Sequence, residues 1–138
     1  MKPDFATHFL AGVEHFNAHE FWEAHEAWET LWLAAESDLG QYLQGLIQLA
    51  AAYHHVKRGT LRGGVRLFDA ALRRLEAFPD PCCGVARGGA EVAARGHREW
   101  AAARLAAGEP DARLDAAEFP NIELMDAEKS TLPPLDAW

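Results

Sequence analysis

The stretch HEFWEAHEAWE, His19 to Glu29, writes His-Glu-x-Trp-Glu twice, at His19 to Glu23 and again at His25 to Glu29. A His followed by a Glu four residues later stacks an imidazole and a carboxylate on one helical face, where the two can share a divalent cation. The Glu next to the His can then take a proton from a cation-bound water. Each copy therefore holds parts for metal-assisted hydrolysis. They cannot act together, because a six-residue offset turns a helix by about 600° and leaves the copies facing directions roughly 120° apart.

The helical surroundings distinguish the copies. Phe21, Ala24, Trp28, Leu31 and Trp32 form the apolar arc of one helix, with His25 and Glu29 immediately beside it and Glu26 next around, close to Trp22 and Leu33. His19, Glu20 and Glu23 fall at the helix start, where carboxylates complement the positive end of the dipole and Asn17 with Glu20 reads as a capping box. The first copy has a sufficient structural explanation; the second does not. The spacing of the second copy is that of the zinc proteases with their last His replaced by Glu.

The elements that must position these residues all read as helices. Phe5, Phe9, Val13 and Phe16 predict a first helix from about Asp4 to Asn17. The second is expected to continue from the Asn17–Glu20 cap to about Glu36. Asp38 and Gln41 repeat the capping signal for a third, from about Leu39 to Arg58, which Gly59-Thr60 ends. A fourth follows from about Leu61 to Phe78, with a stripe of Leu61, Val65, Phe68, Leu72 and Leu75 opposite Arg62, Arg66, Asp69 and Arg73. FPDPCCG is a turn. A fifth helix from about Val85 to Ala107 carries Val92, Trp100 and Ala103 inward. After Gly108 an extended acidic tail has Phe119, Ile122 and Leu124 available to pin it. No alternation is long enough to require a sheet. The fold class is all-α, a single-domain bundle of about five helices: residues 1–108 as the helical domain, 109–138 as a tail packed on it or trailing from it.

On the third helix Gln44, Gln48 and His55 fall within about 40° of one another, flanked by the small Gly45, Ala51 and Ala52. Helices joined by a loop as short as ESDLG pack antiparallel. The polar line is then expected to face His25, Glu26 and Glu29, each row satisfying the other. His54 and Tyr53 are expected to pack elsewhere, Trp22, Trp28 and Trp32 to serve the core, and His8, His15 and His97 to be surface or boundary residues.

Composition bounds the function. The chain has 138 residues, 49% hydrophobic and 25% charged, enough for one domain with a core of its own. A net charge of -8 opposes nucleic acid and anionic membranes as partners. Residues 57–104 nonetheless carry ten Lys/Arg against five Asp/Glu. Lys57, Arg58, Arg62 and Arg66 there could hold a phosphate or form a solvated face. No apolar run spans a membrane, and Asp4, His8 and Glu14 interrupt what would be a signal peptide's apolar region, so a cytoplasmic location is expected. The adjacent Cys82 and Cys83 support no disulfide framework and read as reduced thiols in a loop.

The runs FNAHEFWEAHEAWETLW and YLQGLIQLAAAYHHVKRG, followed by GGVRLFDAALRRLEAF, resemble the small helical proteins of the domain-of-unknown-function 309 family. The resemblance covers roughly Val13 to Phe78. Its most specific parts are Glu23, Ala24, His25, Glu26, Glu29 and Trp32, together with Gly45 to Ala50. It implies an all-helical fold and a metal-dependent hydrolase of unspecified substrate, with the motif on the second His-Glu copy. The chain departs from the pattern in having Thr60 where Asn is expected after Arg58-Gly59.

Two function classes stay open. In the first, His25, Glu29 and His55 hold a divalent metal, Glu26 is the catalytic base, and Gln44, Gln48, Trp22 and Trp32 line a small-molecule substrate. In the second, the cluster is a buried hydrogen-bond network within a non-catalytic binding or scaffold module that meets a protein partner, a homodimer included. The lack of a third strong ligand at fixed spacing favours the second class. The gathering of unpaired acids beside aromatics favours the first.

Overall fold

The structure, a computed structural model, describes residues 3–124, and helices make up nearly all of the regular structure. Helix α1 (Phe5–Asn17) is capped by Asp4, whose carboxylate accepts from the Thr7 amide at 3.0 Å. Its apolar positions Phe5, Phe9, Val13 and Phe16 are all buried, as their spacing predicts. The expected capping box does not form. Because α1 runs through Asn17, that residue ends one helix instead of opening the next. Its amide group matches the peptide of Ile122: Nδ2 donates to the Ile122 carbonyl at 2.9 Å and Oδ1 accepts from the Ile122 amide at 2.8 Å. Glu20 pairs instead with His15 Nδ1 at 2.9 Å.

Helix α2 (Phe21–Trp32) stops short of Glu36, and α3 (Ser37–Arg58) ends on Gly59, whose φ of 78° is the left-handed cap that a Cβ would disfavour. Helix α4 (Leu61–Leu75) stops before Phe78, and a side chain from elsewhere bonds the carbonyl of its last residue and those of the turn after it. The Arg87 guanidinium, 1% exposed, donates to the carbonyls of Leu75 (2.8 Å), Phe78 (2.6 Å) and Pro79 (2.7 Å) and lies 3.3 Å from Glu91. A fixed fork of donors thus ties the end of α4 to the turn that follows it. Helix α5 (Gly88–Ala106) follows.

Helix α3 is central, with α2 on one side and α4 on the other; α1 packs on α2 and α5 on α4. Between them lie Phe9, Phe16, Trp28, Leu46, Tyr53 and Phe68, all fully buried. Two glycines set close approaches. A Cβ on Gly12 would lie 2.1 Å from the Trp28 indole nitrogen, which donates to the Phe9 carbonyl at 3.1 Å, and one on Gly45 would lie 2.8 Å from Leu75.

Some expected inward positions face out. Val92 is 68% exposed, Leu124 is 53% exposed, and Ala103 is exposed as well. Helix α5 meets α4 through a small-residue face, Ala90, Ala94 and Ala101, that leaves Val92 outside. A two-residue ladder, β1 (Val85–Ala86) antiparallel to β2 (Glu123–Leu124), was not expected from the sequence. It fastens the segment after α5, along which Phe119 packs 5.3 Å from Phe21 and Ile122 is 1% exposed. Residues 125–138 of the expected tail lie outside the described residues.

Candidate functional site

Trp22 stands at the centre of the exposed α2–α3 face. Its indole is 47% exposed, stacks on the His25 imidazole with centroids 4.8 Å apart and planes at 8°, and has the His54 ring of α3 at 5.2 Å. The expectation that Trp22 and Trp32 serve the core is corrected, since Trp32 is 38% exposed as well. A 12-residue helix pressed on α1 and α3 can bury only one stripe, and Phe21, Ala24, Trp28 and Leu31 occupy it.

Trp22 divides two shallow recesses. On one side a recess of about 400 Å³ is lined by His25, Glu26, Glu29, Thr30 and Leu33. Here His25 Nδ1 is buried and 3.4 Å from Glu29 Oε2, close enough but at an angle that makes no hydrogen bond. Glu26 is exposed to solvent. On the other side a recess of about 600 Å³ is lined by His19, Glu23, His54, Lys57, Arg58 and Arg113. Lys57 donates to the His19 carbonyl at 2.7 Å, and Arg113 to the Lys57 carbonyl at 2.7 Å. Burial lowers the pKa of His54, and the neighbouring Arg58 adds to the effect, so its imidazole is neutral at pH 7. One recess is therefore acidic; the other carries three cations against Glu20 and Glu23.

His55 does not join His25. Its Nδ1 is 2.8 Å from the Thr60 hydroxyl, and its ring lies against α4, where a Cβ on Gly63 would meet it at 3.0 Å. The reason is topological: α3 has a neighbour on each side, and a helical wheel does not say which neighbour a given line faces. The short Gly59-Thr60 turn brings α4 over His55, and His54, roughly 100° further round, faces α2 instead. The close approach at Gly45 is likewise to α4. The expected Gln/His network is also absent: Gln48 Oε1 is buried and, like His25 Nδ1, has no hydrogen-bond partner, and Gln44 is half-buried.

A divalent metal fits these residues poorly. His25 and Glu29 offer two donors on one rim, His55 is turned away, and among the described residues no three His, Cys, Asp or Glu side chains are placed to hold an ion together. His54, expected to pack elsewhere, takes the place at the α2 face that His55 was expected to hold, and Arg113, for which the sequence carries no local signal, was not anticipated. His97, read as a boundary residue, is bonded to the Tyr53 hydroxyl at 2.7 Å.

No described helix is long and apolar enough to cross a membrane. No curated protein matches the chain. Residues 9–67, which hold α2, α3 and both recesses apart from Arg113, match the family described as a domain of unknown function, DUF309. The crystal structure of a conserved hypothetical protein from Thermus thermophilus is similar at 32% identity and a TM-score of 0.58, over 72% of this chain and 99% of that one. The motif on α2, the helical bundle and this likeness across the whole of a solved relative together make the chain a member of the DUF309 family.

Proposed function

We propose that the protein is a non-catalytic helical binding module that holds a peptide segment of a protein partner across the α2–α3 face, with Trp22 as the anchor. The observation that carries this reading is Trp22 itself, a large indole left 47% exposed yet held flat on His25. Covering its free surface gains roughly 25 cal/mol per Å². A ring already fixed by its neighbours loses little side-chain freedom on binding, so more of that gain is kept. The two recesses set polarity: a basic side chain of the ligand suits Glu26 and Glu29, and an acidic one suits Lys57, Arg58 and Arg113.

The test is an NMR titration with two short peptides, each bearing one Lys, one Leu and one Glu, in the two opposite orders. The Trp22 indole N–H should shift with one order more than the other, and Trp22→Ala should abolish binding. Shifts indifferent to charge order, or undiminished in Trp22→Ala, would refute the module. Concentration-dependent shifts without peptide would assign the face to a second copy of the chain instead.

The competing reading, a metal-dependent hydrolase built on His25, Glu29 and Glu26, draws on the buried His25 Nδ1 that lacks a hydrogen bond. Two donors on one rim do not make a closed site. Titration of zinc and manganese into wild type and Glu29→Ala across about pH 5 to 8 decides it, because imidazole ligation weakens as the ring protonates. Stoichiometric, pH-dependent binding lost in Glu29→Ala would favour the hydrolase over the module.

A further inference from the structure

Between α4 and α5 the chain makes a tight hairpin, Cys82-Cys83-Gly84-Val85. Cys82 and Val85 exchange both backbone hydrogen bonds, at 3.0 and 3.1 Å, and the two central residues have φ of 56° and 78°. These are the marks of a type I′ turn, whose first central position favours Asn, Asp or Gly. A cysteine there bears a conformational cost that those residues avoid. The turn is held from the core side, since the buried Tyr42 hydroxyl donates to the Cys82 carbonyl at 3.2 Å, and Arg87 lies just beyond in the chain. Both cysteines are free and half-exposed, with their sulfurs 3.6 Å apart.

That separation selects a chemistry. A disulfide would require the sulfurs to close from 3.6 Å to about 2.05 Å within the strained ring that adjacent cysteines make. One atom joined to both sulfurs by bonds of about 2.3 Å, the length of a zinc–thiolate bond, would instead span 3.6 Å at an angle of roughly 103°, near that of a pyramidal or tetrahedral centre. A linear two-sulfur centre would need about 4.6 Å at the same bond length and does not fit. Among the described residues no third His, Cys, Asp or Glu completes a metal site with these thiols. An acceptor that is satisfied by two sulfurs and one group of its own is therefore the match.

We propose that Cys82 and Cys83 form a preorganised two-thiol site for a trivalent thiophilic metalloid of the arsenical class. With an organoarsenic dihydroxide, two As–O bonds break and two As–S bonds form. Each thiol proton leaves with a hydroxide as water, arsenic stays trivalent, and no sulfur is oxidised. The hydrogen bond shared with Cys83 draws the Cys82 thiol down to about 7, with Arg87 helping and burial opposing, while Cys83 is pushed up; Cys82 therefore attacks first.

The chain has only these two cysteines, so the full protein can be titrated without background thiols. The probe is phenylarsine oxide, followed by native mass spectrometry and by alkylation of free thiols. One arsenic per chain should bind, both thiols should become resistant to alkylation, and the adduct should survive excess 2-mercaptoethanol but yield to a dithiol. Cys82→Ser and Cys83→Ser should each retain the adduct less well by on the order of 100-fold, the loss of intramolecular second-site binding. Two arsenicals per chain, or equal retention by either variant, would overturn the proposal. So would equal retention by wild type unfolded in urea, since the fold would then contribute nothing, or displacement of the arsenical by equimolar zinc, which would identify a metal site.

Discussion

The contact between α1 and α2 is set by the absence of one side chain, and Gly12→Ala measures it. On helix propensity alone the substitution is favourable by roughly 1 kcal/mol. The added Cβ, however, would fall 2.1 Å from Trp28 Nε1 and 2.5 Å from two further indole atoms. Trp28 is fully buried and has no free space to enter, so the ring must leave the Phe9 carbonyl to which it donates. Overpacking costs about 1–3 kcal/mol, and a buried indole donor left without an acceptor about 1–3 more. Offset by the propensity gain, the net loss is expected at roughly 1–5 kcal/mol. Gly96→Ala supplies the internal control. It places the same methyl in the middle of α5 with nothing within 4 Å, so it should stabilise by about 0.5–1 kcal/mol. Urea unfolding followed by far-UV circular dichroism measures both. Gly12→Ala within about 0.5 kcal/mol of wild type, or both substitutions moving stability in the same direction, would refute the packing argument.

Three further outcomes follow from buried polar groups. Arg87→Met should destabilise by about 3–5 kcal/mol, because it takes that donor from the Leu75, Phe78 and Pro79 carbonyls and from Glu91, and Arg87→Lys should recover only part of this; chemical denaturation of both variants checks it. Asn17→Ala should cost about 1–2 kcal/mol and speed hydrogen exchange at the Ile122 amide, measured by NMR, whereas exchange unchanged there would separate Asn17 from the pinning of that segment. Burial lowers the His97 pKa, against a weaker opposing effect of Glu118. Its folded value thus lies below the unfolded value of about 6.5, the unfolded chain binds more protons between the two, and stability is lost as pH falls through that window. His97→Gln, which keeps an acceptor for Tyr53, should flatten the slope of unfolding free energy against pH over that range, and an unchanged slope would refute the assignment.

The helices and their buried faces were legible because they depend on short-range periodicity. Phe5, Phe9, Val13 and Phe16 are buried on spacing alone, and Gly59 ends α3 where a left-handed residue is needed. That His25, Glu26 and Glu29 lie together on one side of α2 was legible too, whereas Trp22 beside them was expected in the core and is 47% exposed. What the sequence could not decide was which neighbour each face of α3 meets. A wheel orders side chains around one axis and says nothing of the two helices beside it. The choice between His54 and His55 at the α2 face was made by α4 closing over His55 at Gly63. Helix ends escaped for the same reason: Asn17 and Arg87 satisfy backbone groups 105 and between 8 and 12 residues away, and such partners exist only once the chain has folded. Local periodicity is written in a few consecutive residues, whereas the satisfaction of a buried polar group depends on whatever tertiary packing brings within about 3 Å of it.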